Sequence, residues 1–282
     1  MGPLTQRVLV AVISIPLLLA LTFSSMNGLF FLLVVVMVGV ALFEFFRLLE
    51  SGGIKPLWPV GILGYLVLIL APVTFRSGEP ILPCWAPVLV LFLGTLGFLW
   101  SKRSLNDAIQ NTGTTLLGVF YFGILGSFFW LLKEIPRGEW MLLFLYTATW
   151  SFDTGAYFTG SLWGRHKITP RVSPNKSLEG CAGGLALCLL ALFVLWRVFP
   201  IYQSIFGFFD ICLLALILST TGQLGDLVES MFKRSVSAKQ SGSFFPGHGG
   251  VFDRIDSLLF NAPVLFYYLV FFKLYWLKSG MS

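Results

Sequence analysis

Residues 225–257 read G-D-L-V-E-S-M-F-K-R-S-V-S-A-K-Q-S-G-S-F-F-P-G-H-G-G-V-F-D-R-I-D-S, and this stretch determines how the rest of the chain is read. It holds four carboxylates, four cations and one histidine. An apolar run, 205–221, leads into it, and a second apolar run, 255–277, leads out of it. Charges beside a bilayer are costly, so a cluster of them between two apolar runs indicates a functional site. We interpret these groups as suited to phosphate and metal chemistry at a membrane surface.

The composition is that of a membrane protein. Of 282 residues, 56% are hydrophobic and only 11% are charged, whereas soluble domains carry about 25% charged residues. The four cysteines lie in or beside apolar runs and lack the paired spacing of a zinc site. The net charge of +6 is too diffuse to indicate a nucleic-acid partner. We therefore predict an all-α polytopic integral membrane protein.

Nine apolar segments approach the length of about 20 residues that a helix needs to cross a bilayer. These segments are 8–23, 29–46, 57–75, 82–100, 114–132, 140–162, 180–199, 205–232 and 252–277. We predict five N-terminal membrane helices in residues 1–133. A C-terminal catalytic region, 134–282, would carry two polar loops, 163–179 and 233–250.

The distribution of Lys and Arg predicts the orientation of these helices. Twelve cations fall on the N-terminal side of the predicted membrane and six on the other side. Cytoplasmic loops are enriched in Lys and Arg. We therefore predict that the N-terminus and both polar loops are cytoplasmic, where a charged substrate can reach them.

Two acidic positions lie inside the first six predicted helices. Asp153 lies in the sixth, one helical turn before Tyr157, and Gly155 and Gly160 would allow a neighbouring helix to approach closely. Asp153 is a candidate catalytic carboxylate, with a structural hydrogen bond as the alternative. In the second helix, Glu44 stands three residues before Arg47, and we interpret these two residues as an interfacial pair.

The first polar loop carries a candidate phosphate cradle. Two prolines exclude a regular helix between residues 164 and 180. Four cations, three hydroxyls and one asparagine in so short a loop suit phosphate binding, although a basic loop that merely stays in the cytoplasm is the alternative. Ser177 is placed to cap the following helix, and Glu179 favours its N-terminus.

The second polar loop is flanked by acids on both sides. Asp226, Glu229 and Lys233 share one helix face, although a Glu229–Lys233 ion pair would be a purely structural alternative. Glycines before the last helix would let backbone N–H groups approach a phosphate. Asp253 and Asp256 follow at a spacing of three residues, and oxygen ligands from two helices suit Mg²⁺ together with substrate phosphates.

On these motifs the chain resembles the phosphatidate cytidylyltransferase, or CDP-diacylglycerol synthase, family. The matching segments are D-T-G-A-Y-F-x-G (153–160), S-P-N-K-S-L-E-G (173–180), G-D-L-x-E-S (225–230), S-x-x-K-R (230–234), Lys239, Ser241-Gly242 and P-G-H-G-G-V-F-D-R-I-D-S (246–257). Gln240 departs from the pattern, because many members have Asp there. We therefore expect no essential metal role at this position.

The resemblance implies a nucleotidyltransferase that converts CTP and phosphatidate to CDP-diacylglycerol and diphosphate. It also implies Mg²⁺ as cofactor, a homodimer, and residence in a bacterial-type inner or plasma membrane with the active site facing the cytoplasm. A second cation is compatible with this number of acids.

The expected roles fall into four groups. The catalytic residues would be Asp226, Lys233, Asp253 and Arg254. The metal ligands would be Asp226, Asp253 and Asp256. The substrate-binding residues would be Ser173, Asn175, Lys176, Arg234, Lys239, His248, Gly249 and Gly250. Further candidates are Asp153 and Glu229. For His248, metal ligation, donation to a phosphate and a simple turn position all remain open.

Two rival functions share some of these features. A polyprenol kinase would use similar metal and phosphate groups but needs a base to activate an alcohol. An ion-coupled transporter would also place acids in its helices, but such proteins often show paired repeats with a site near the midplane. No repeat is evident in this sequence, and the charges cluster at one predicted face.

Overall fold

The structure is a computed structural model that describes residues 3–74, 85–101, 104–238, 240–242 and 249–273, with side chains from residue 12 onward except that of Thr74. In this part of the chain, nine helices of 15 or more residues lie at the positions of the nine predicted segments. They are α1 (Pro3–Phe23), α2 (Asn27–Ser51), α3 (Trp58–Thr74), α4 (Trp85–Leu99), α5 (Ala108–Glu134), α6 (Gly138–Trp163), α7 (Leu178–Val198), α9 (Phe208–Ser235) and α10 (Phe252–Phe272). A short helix, α8 (Pro200–Ile205), follows α7.

Five helical segments are long and apolar enough to cross a membrane, counting only the described residues. They are Asn27–Ser51, Leu105–Glu134, Leu178–Val198, Phe208–Ser235 and Phe252–Phe272. Three shorter apolar segments are Val12–Phe23, Trp58–Val73 and Trp85–Leu99. The prediction of a mainly helical integral membrane protein is confirmed. The total of nine spans and the orientation stay predictions.

The first polar loop contains a small antiparallel sheet that the sequence did not predict. Strand β1 (Lys167–Thr169) pairs with β2 (Ser173–Ser177), with Lys167 opposite Ser177 and Thr169 opposite Ser173. The prolines do exclude a helix here. Strands of three and five residues are too short to show a readable alternation of polar and apolar residues, so an all-α description misses them.

The chain forms two compact units. The first unit comprises Met1–Leu131 and Lys233–Ile255, and the second comprises Leu132–Phe232 and Asp256–Ser282. The predicted division into an N-terminal region, 1–133, and a catalytic region, 134–282, is a division of roles and stays a prediction.

In the first unit, an aromatic cluster fixes the start of α10. Phe252 is fully buried, with its ring centroid 4.9 Å from that of Phe122 on α5 and 6.4 Å from that of Phe45 on α2. Both contacts are edge-to-face, which is a favourable geometry for aromatic rings. Because Phe252 is the first residue of α10, this packing also fixes the polar residues that follow it.

In the second unit, glycines allow α6 and α7 to pack closely. A Cβ atom added at Gly155 would lie 2.7 Å from the carbonyl oxygen of Gly183 and 3.0 Å from the Cα of Gly184. A Cβ at Gly160 would lie 3.6 Å from the Cα of Gly180. The predicted close approach at Gly155 and Gly160 is confirmed, since small residues let backbones come together inside membranes.

A polar group in the second unit ties the start of α9 to the end of α10. The Asp210 carboxylate accepts hydrogen bonds from the Gly207 N–H at 2.7 Å, from the Lys273 ammonium at 2.6 Å and from the Tyr268 hydroxyl. The Gly207 contact satisfies an otherwise unpaired amide at the helix N-terminus.

We expect Asp210→Ala to destabilise the protein, because it leaves these three donors without their acceptor. Hydrogen bonds to charged groups contribute about 1.5–3 kcal/mol, so the melting temperature in detergent should fall by several degrees. The control is Asp107→Ala, which removes an exposed carboxylate. Equal melting temperatures for the two variants would contradict a stabilising role for Asp210.

Candidate active site

The first unit gathers three polar groups around Asp253, and we call these four residues the Asp253 cluster: Lys233, Ser241, Gly250 and Asp253. One oxygen of Asp253 accepts a hydrogen bond from the Lys233 ammonium at 2.8 Å. The other accepts from the Ser241 hydroxyl at 3.0 Å and from the Gly250 N–H at 2.8 Å. The side chains of Lys233 and Asp253 are only 13% and 14% exposed. The end of α9 and the start of α10 are therefore joined by a largely desolvated ion pair.

A glycine turn makes this geometry possible. Gly249 has a φ of +82°, a conformation that side chains other than glycine rarely adopt. A Cβ atom at this position would also lie 2.5 Å from Asp253 Oδ2. The predicted glycine turn before α10 is confirmed. The Gly250 N–H donates to Asp253, however, which is a different use of this amide from the predicted phosphate contact.

Glu44 belongs to the same unit and was misread in the sequence. Its side chain is buried, and Oε2 accepts a hydrogen bond from the Phe252 N–H at 2.9 Å. Arg47 instead lies 3.6 Å from Glu50 and stacks over the ring of Phe43. The interpretation of Glu44 and Arg47 as an interfacial pair is therefore wrong. The available signal was an acid within an apolar helix, which is a functional candidate by default.

The second unit brings Lys176 and two acids together, and we call Lys176, Asp226 and Asp256 the Asp226 cluster. The Lys176 ammonium lies 3.1 Å from Asp226 Oδ2, and the two side chains are 25% and 26% exposed. Asp256 is buried. Burial lowers the pKa of Lys176, but the nearby carboxylates of Asp226, Asp153 and Asp256 raise it, and the pKa is raised overall. Lys176 is therefore held as a cation among acids.

The hairpin positions Lys176 through local contacts. Ser177 is the N-cap of α7, and its hydroxyl accepts a hydrogen bond from the Gly180 N–H at 3.1 Å, which confirms the predicted cap. Glu179 accepts from the Arg165 N–H at 3.1 Å and contacts the His166 ring nitrogen Nδ1 at 2.5 Å. These contacts tie the beginning of the loop to the beginning of α7, so β2 and Lys176 are fixed in place.

The remaining candidates on the hairpin and on α6 differ in exposure. Ser173 is half-buried and pairs with Thr169, whereas Asn175 is exposed. Asp153 on α6 is exposed, and its charge acts on Lys176. Asp153 therefore belongs electrostatically with the Asp226 cluster.

The candidate residues near the second polar loop also differ in their exposure to solvent. Glu229 is 1% exposed. Arg234 and Arg254 are exposed, and Arg234 donates to the carbonyl of Ala238 at 3.1 Å. Lys239 and His248 lie outside the described residues, so their predicted roles stay predictions.

The donor set of the Asp226 cluster fits Mg²⁺. The buried Oδ2 atom of Asp226 accepts no hydrogen bond of good geometry within the described residues, and Lys176 is its ion-pair partner. No group of three or more His, Cys, Asp or Glu side chains is placed to hold a metal in that same part of the chain. Mg²⁺ commonly uses only one or two carboxylates and completes its shell with waters and substrate phosphates, so the two carboxylates of Asp226 and Asp256 are compatible with such an ion.

Asp253 belongs to the other unit and already accepts three hydrogen bonds. The predicted use of Asp226 and Asp253 by one Mg²⁺ ion therefore stays a prediction. Within the second unit, α9 and α10 approach closely, because a Cβ at Gly225 would lie 2.6 Å from the carbonyl oxygen of Asp256.

Apolar helices long enough to cross a membrane, with ion pairs of acids and lysines at helix ends and on the hairpin, define a polytopic membrane protein. Residues 5–272 match the model of the cytidylyltransferase family. The chain is 35% identical to the phosphatidate cytidylyltransferase of Bacillus subtilis over 281 residues, covering 97% of this chain and 100% of that protein.

Two further relatives carry the same name. The phosphatidate cytidylyltransferase of Staphylococcus epidermidis is 35% identical over 264 residues, which cover 92% of this chain and 96% of that protein. The enzyme of Staphylococcus saprophyticus is 43% identical over 155 residues, which cover 53% and 56%. The chain belongs to the cytidylyltransferase family and is a nucleotidyltransferase, which confirms the resemblance seen in the sequence.

Proposed function

We propose that this protein transfers a cytidylyl group from CTP to phosphatidate and releases diphosphate. The observation that carries the proposal is the ion pair of Lys176 with Asp226 beside the buried Asp256, within a chain whose full-length relatives are named phosphatidate cytidylyltransferases. The product is CDP-diacylglycerol, an intermediate of phospholipid synthesis.

The chemistry needs positioning more than proton transfer. An oxygen of the phosphatidate phosphate attacks the α-phosphorus of CTP, and the bond from that phosphorus to the bridging oxygen of the β-phosphate breaks. The attacking phosphate is already an anion at neutral pH, so no strong base is required. The protein must align the two anions in line and neutralise their charges.

The residues divide this work by charge. Lys176, Lys233, Arg234, Lys239 and Arg254 would neutralise phosphates, and Ser173, Asn175, His248, Gly249 and Gly250 would contact the substrates. Asp226 and Asp256 would hold Mg²⁺, and Asp253, which was predicted from the sequence to share one ion with Asp226, stays a third candidate ligand. When bound, Mg²⁺ supplies positive charge that stabilises the charge developing on the phosphate oxygens. A homodimer is part of the same proposal, on the family resemblance.

The deciding experiment supplies purified protein with labelled CTP and phosphatidate, with and without Mg²⁺. We expect a labelled CDP-lipid and free diphosphate only in the presence of the ion. A polyprenol replaces phosphatidate in the control reaction. Phosphorylation of that alcohol, or the absence of CDP-lipid with phosphatidate, would contradict the proposed function.

We further propose that both polar loops face the cytoplasm, on the basis of the asymmetry in Lys and Arg. In a cysteine-free background, Arg171→Cys and Gln240→Cys should be labelled by an impermeant thiol reagent only after cells are permeabilised. Both positions are exposed in the structure. Ser204→Cys, which is exposed on α8 and predicted to lie on the opposite side, is the control and should react in intact cells. The reverse labelling pattern would contradict the orientation.

A further inference from the structure

Glu44 connects the N-terminal helices to the residue that begins α10. It lies on α2, is 5% exposed, and is 208 positions from Phe252, whose N–H donates to its Oε2 atom at 2.9 Å. Phe252 is the first residue of α10, and Asp253 is the second. The first four amides of a helix have no partner within the helix. Glu44 therefore supplies an acceptor for the amide immediately before Asp253.

The two segments that flank Asp253 in space also pack against the Glu44 carboxylate. A Cβ atom added at Gly242 would lie 2.6 Å from Glu44 Oε1, and one added at Gly250 would overlap with Oε2. Ser241 and Gly250 each donate a hydrogen bond to Asp253. Glu44 thus packs against both segments that supply the Ser241 and Gly250 hydrogen bonds, which are two of the three that Asp253 accepts.

A stabilising role alone does not explain a carboxylate at this position. Its Oε1 atom is buried and has no hydrogen bond of good geometry within the described part of the chain, although the Val251 N–H and the Ser241 hydroxyl also lie near the carboxylate. Burying an incompletely paired acid is costly, and an apolar side chain of similar volume often stabilises a protein as well or better. The hydrogen bond to the helix start is the part that an apolar side chain cannot supply.

We propose that Glu44 is a positioning residue, which holds the first amide of α10 and the glycine segments so that the Asp253 carboxylate is kept at its place. Asp253, Lys233 and Ser241 then form one fixed constellation. This proposal rests on the proposed cytidylyl transfer for its effect on rate. Its effect on the start of α10 is independent of that function.

The test compares Glu44→Ala and Glu44→Gln with Glu50→Ala, which removes a carboxylate from the same helix away from Phe252. Amide hydrogen exchange is followed by mass spectrometry in a peptide covering residues 249–257, and turnover of CTP is followed in parallel. Losing a buried hydrogen bond corresponds to about a 10-fold change or more. We expect Glu44→Ala to raise exchange and to lower kcat by about that factor. We expect Glu44→Gln, which keeps an acceptor oxygen, to retain most of the wild-type protection from exchange and most of the wild-type kcat.

A second variant tests the packing from the other side. Gly242→Ala adds a methyl group against Glu44 Oε1 and should lower kcat in the same direction, with little change in KM for CTP. If Glu44→Ala matches Glu50→Ala in hydrogen exchange, the positioning role is overturned, whatever the activity. If exchange rises but kcat equals that of Glu50→Ala, the consequence for Asp253 is overturned. An inactive wild-type protein would overturn the proposed function, and hydrogen exchange would still decide the role of Glu44.

Discussion

Asp226→Asn is expected to lower the turnover of CTP per folded molecule by about 10²–10⁴. Asn keeps the size of Asp and one acceptor oxygen but removes the negative charge. Lys176 would lose its ion-pair partner at 3.1 Å, and a bound Mg²⁺ would lose an anionic ligand. The dependence of activity on Mg²⁺ concentration should therefore move to higher concentrations together with the loss of rate.

Asp210→Asn is the matched control for this prediction. Asp210 and Asp226 lie on the same helix, α9, but Asp210 accepts its hydrogen bonds from Gly207, Tyr268 and Lys273 at the helix start. Its replacement should lower the melting temperature in detergent and leave turnover per folded molecule near that of the wild type.

The measurement is turnover of monodisperse, detergent-purified variants across a Mg²⁺ titration, with the Mg²⁺-dependent shift in melting temperature as a second readout. A purely structural Asp226 would give the opposite result. Asp226→Asn would then melt earlier, as Asp210→Asn does, but would retain normal turnover and an unchanged response to Mg²⁺ in both readouts.

Lys176→Met is the second change with a large expected effect, a loss of about 10²–10³ in kcat/KM for CTP. Met keeps the length of the aliphatic stem but removes the ammonium. The Lys176 side chain is a quarter exposed, so a phosphate can reach it, and its raised pKa keeps it charged. Without it, the Asp226 and Asp256 carboxylates would repel an incoming anion.

Lys167→Met is the control on the neighbouring strand. Lys167 is exposed on β1, opposite Ser177 in the hairpin. Its replacement by Met removes one positive charge from the hairpin, as Lys176→Met does. Steady-state kinetics with CTP as the varied substrate would distinguish the two positions. If both variants lost the same small fraction of activity, Lys176 would be one of several interchangeable surface cations and the proposed phosphate contact would be wrong.

Features that depend on neighbours in sequence were predictable. Ser177 caps α7 because its side chain reaches an amide three residues away. The glycine turn before α10 follows from the conformational freedom of Gly249. The long helices follow from apolar runs that leave no other way to satisfy backbone groups inside a membrane.

Pairings of distant side chains were only partly predictable. Lys176, Asp226 and Asp256 were each identified as candidates from their motifs, but the sequence did not indicate that Lys176 pairs with Asp226. Lys233 was placed on a face with Glu229, and the structure shows in addition an ion pair with Asp253 that the sequence did not indicate. Charge and spacing identify groups that need partners, but the partner depends on which helix ends approach one another.

The sequence by itself determined the class of protein and the positions of its helices, because composition and local spacing encode these directly, and it supplied the candidate residues for phosphate chemistry. The tertiary structure alone decided the role of Glu44. Its partner, Phe252, is 208 residues away, and the contact exists because the aromatic packing of Phe45 and Phe122 around Phe252 brings α2 to the start of α10. The sequence around Glu44 is compatible with two roles: pairing with Arg47 one turn away, or accepting a hydrogen bond from another helix. Local spacing does not distinguish them.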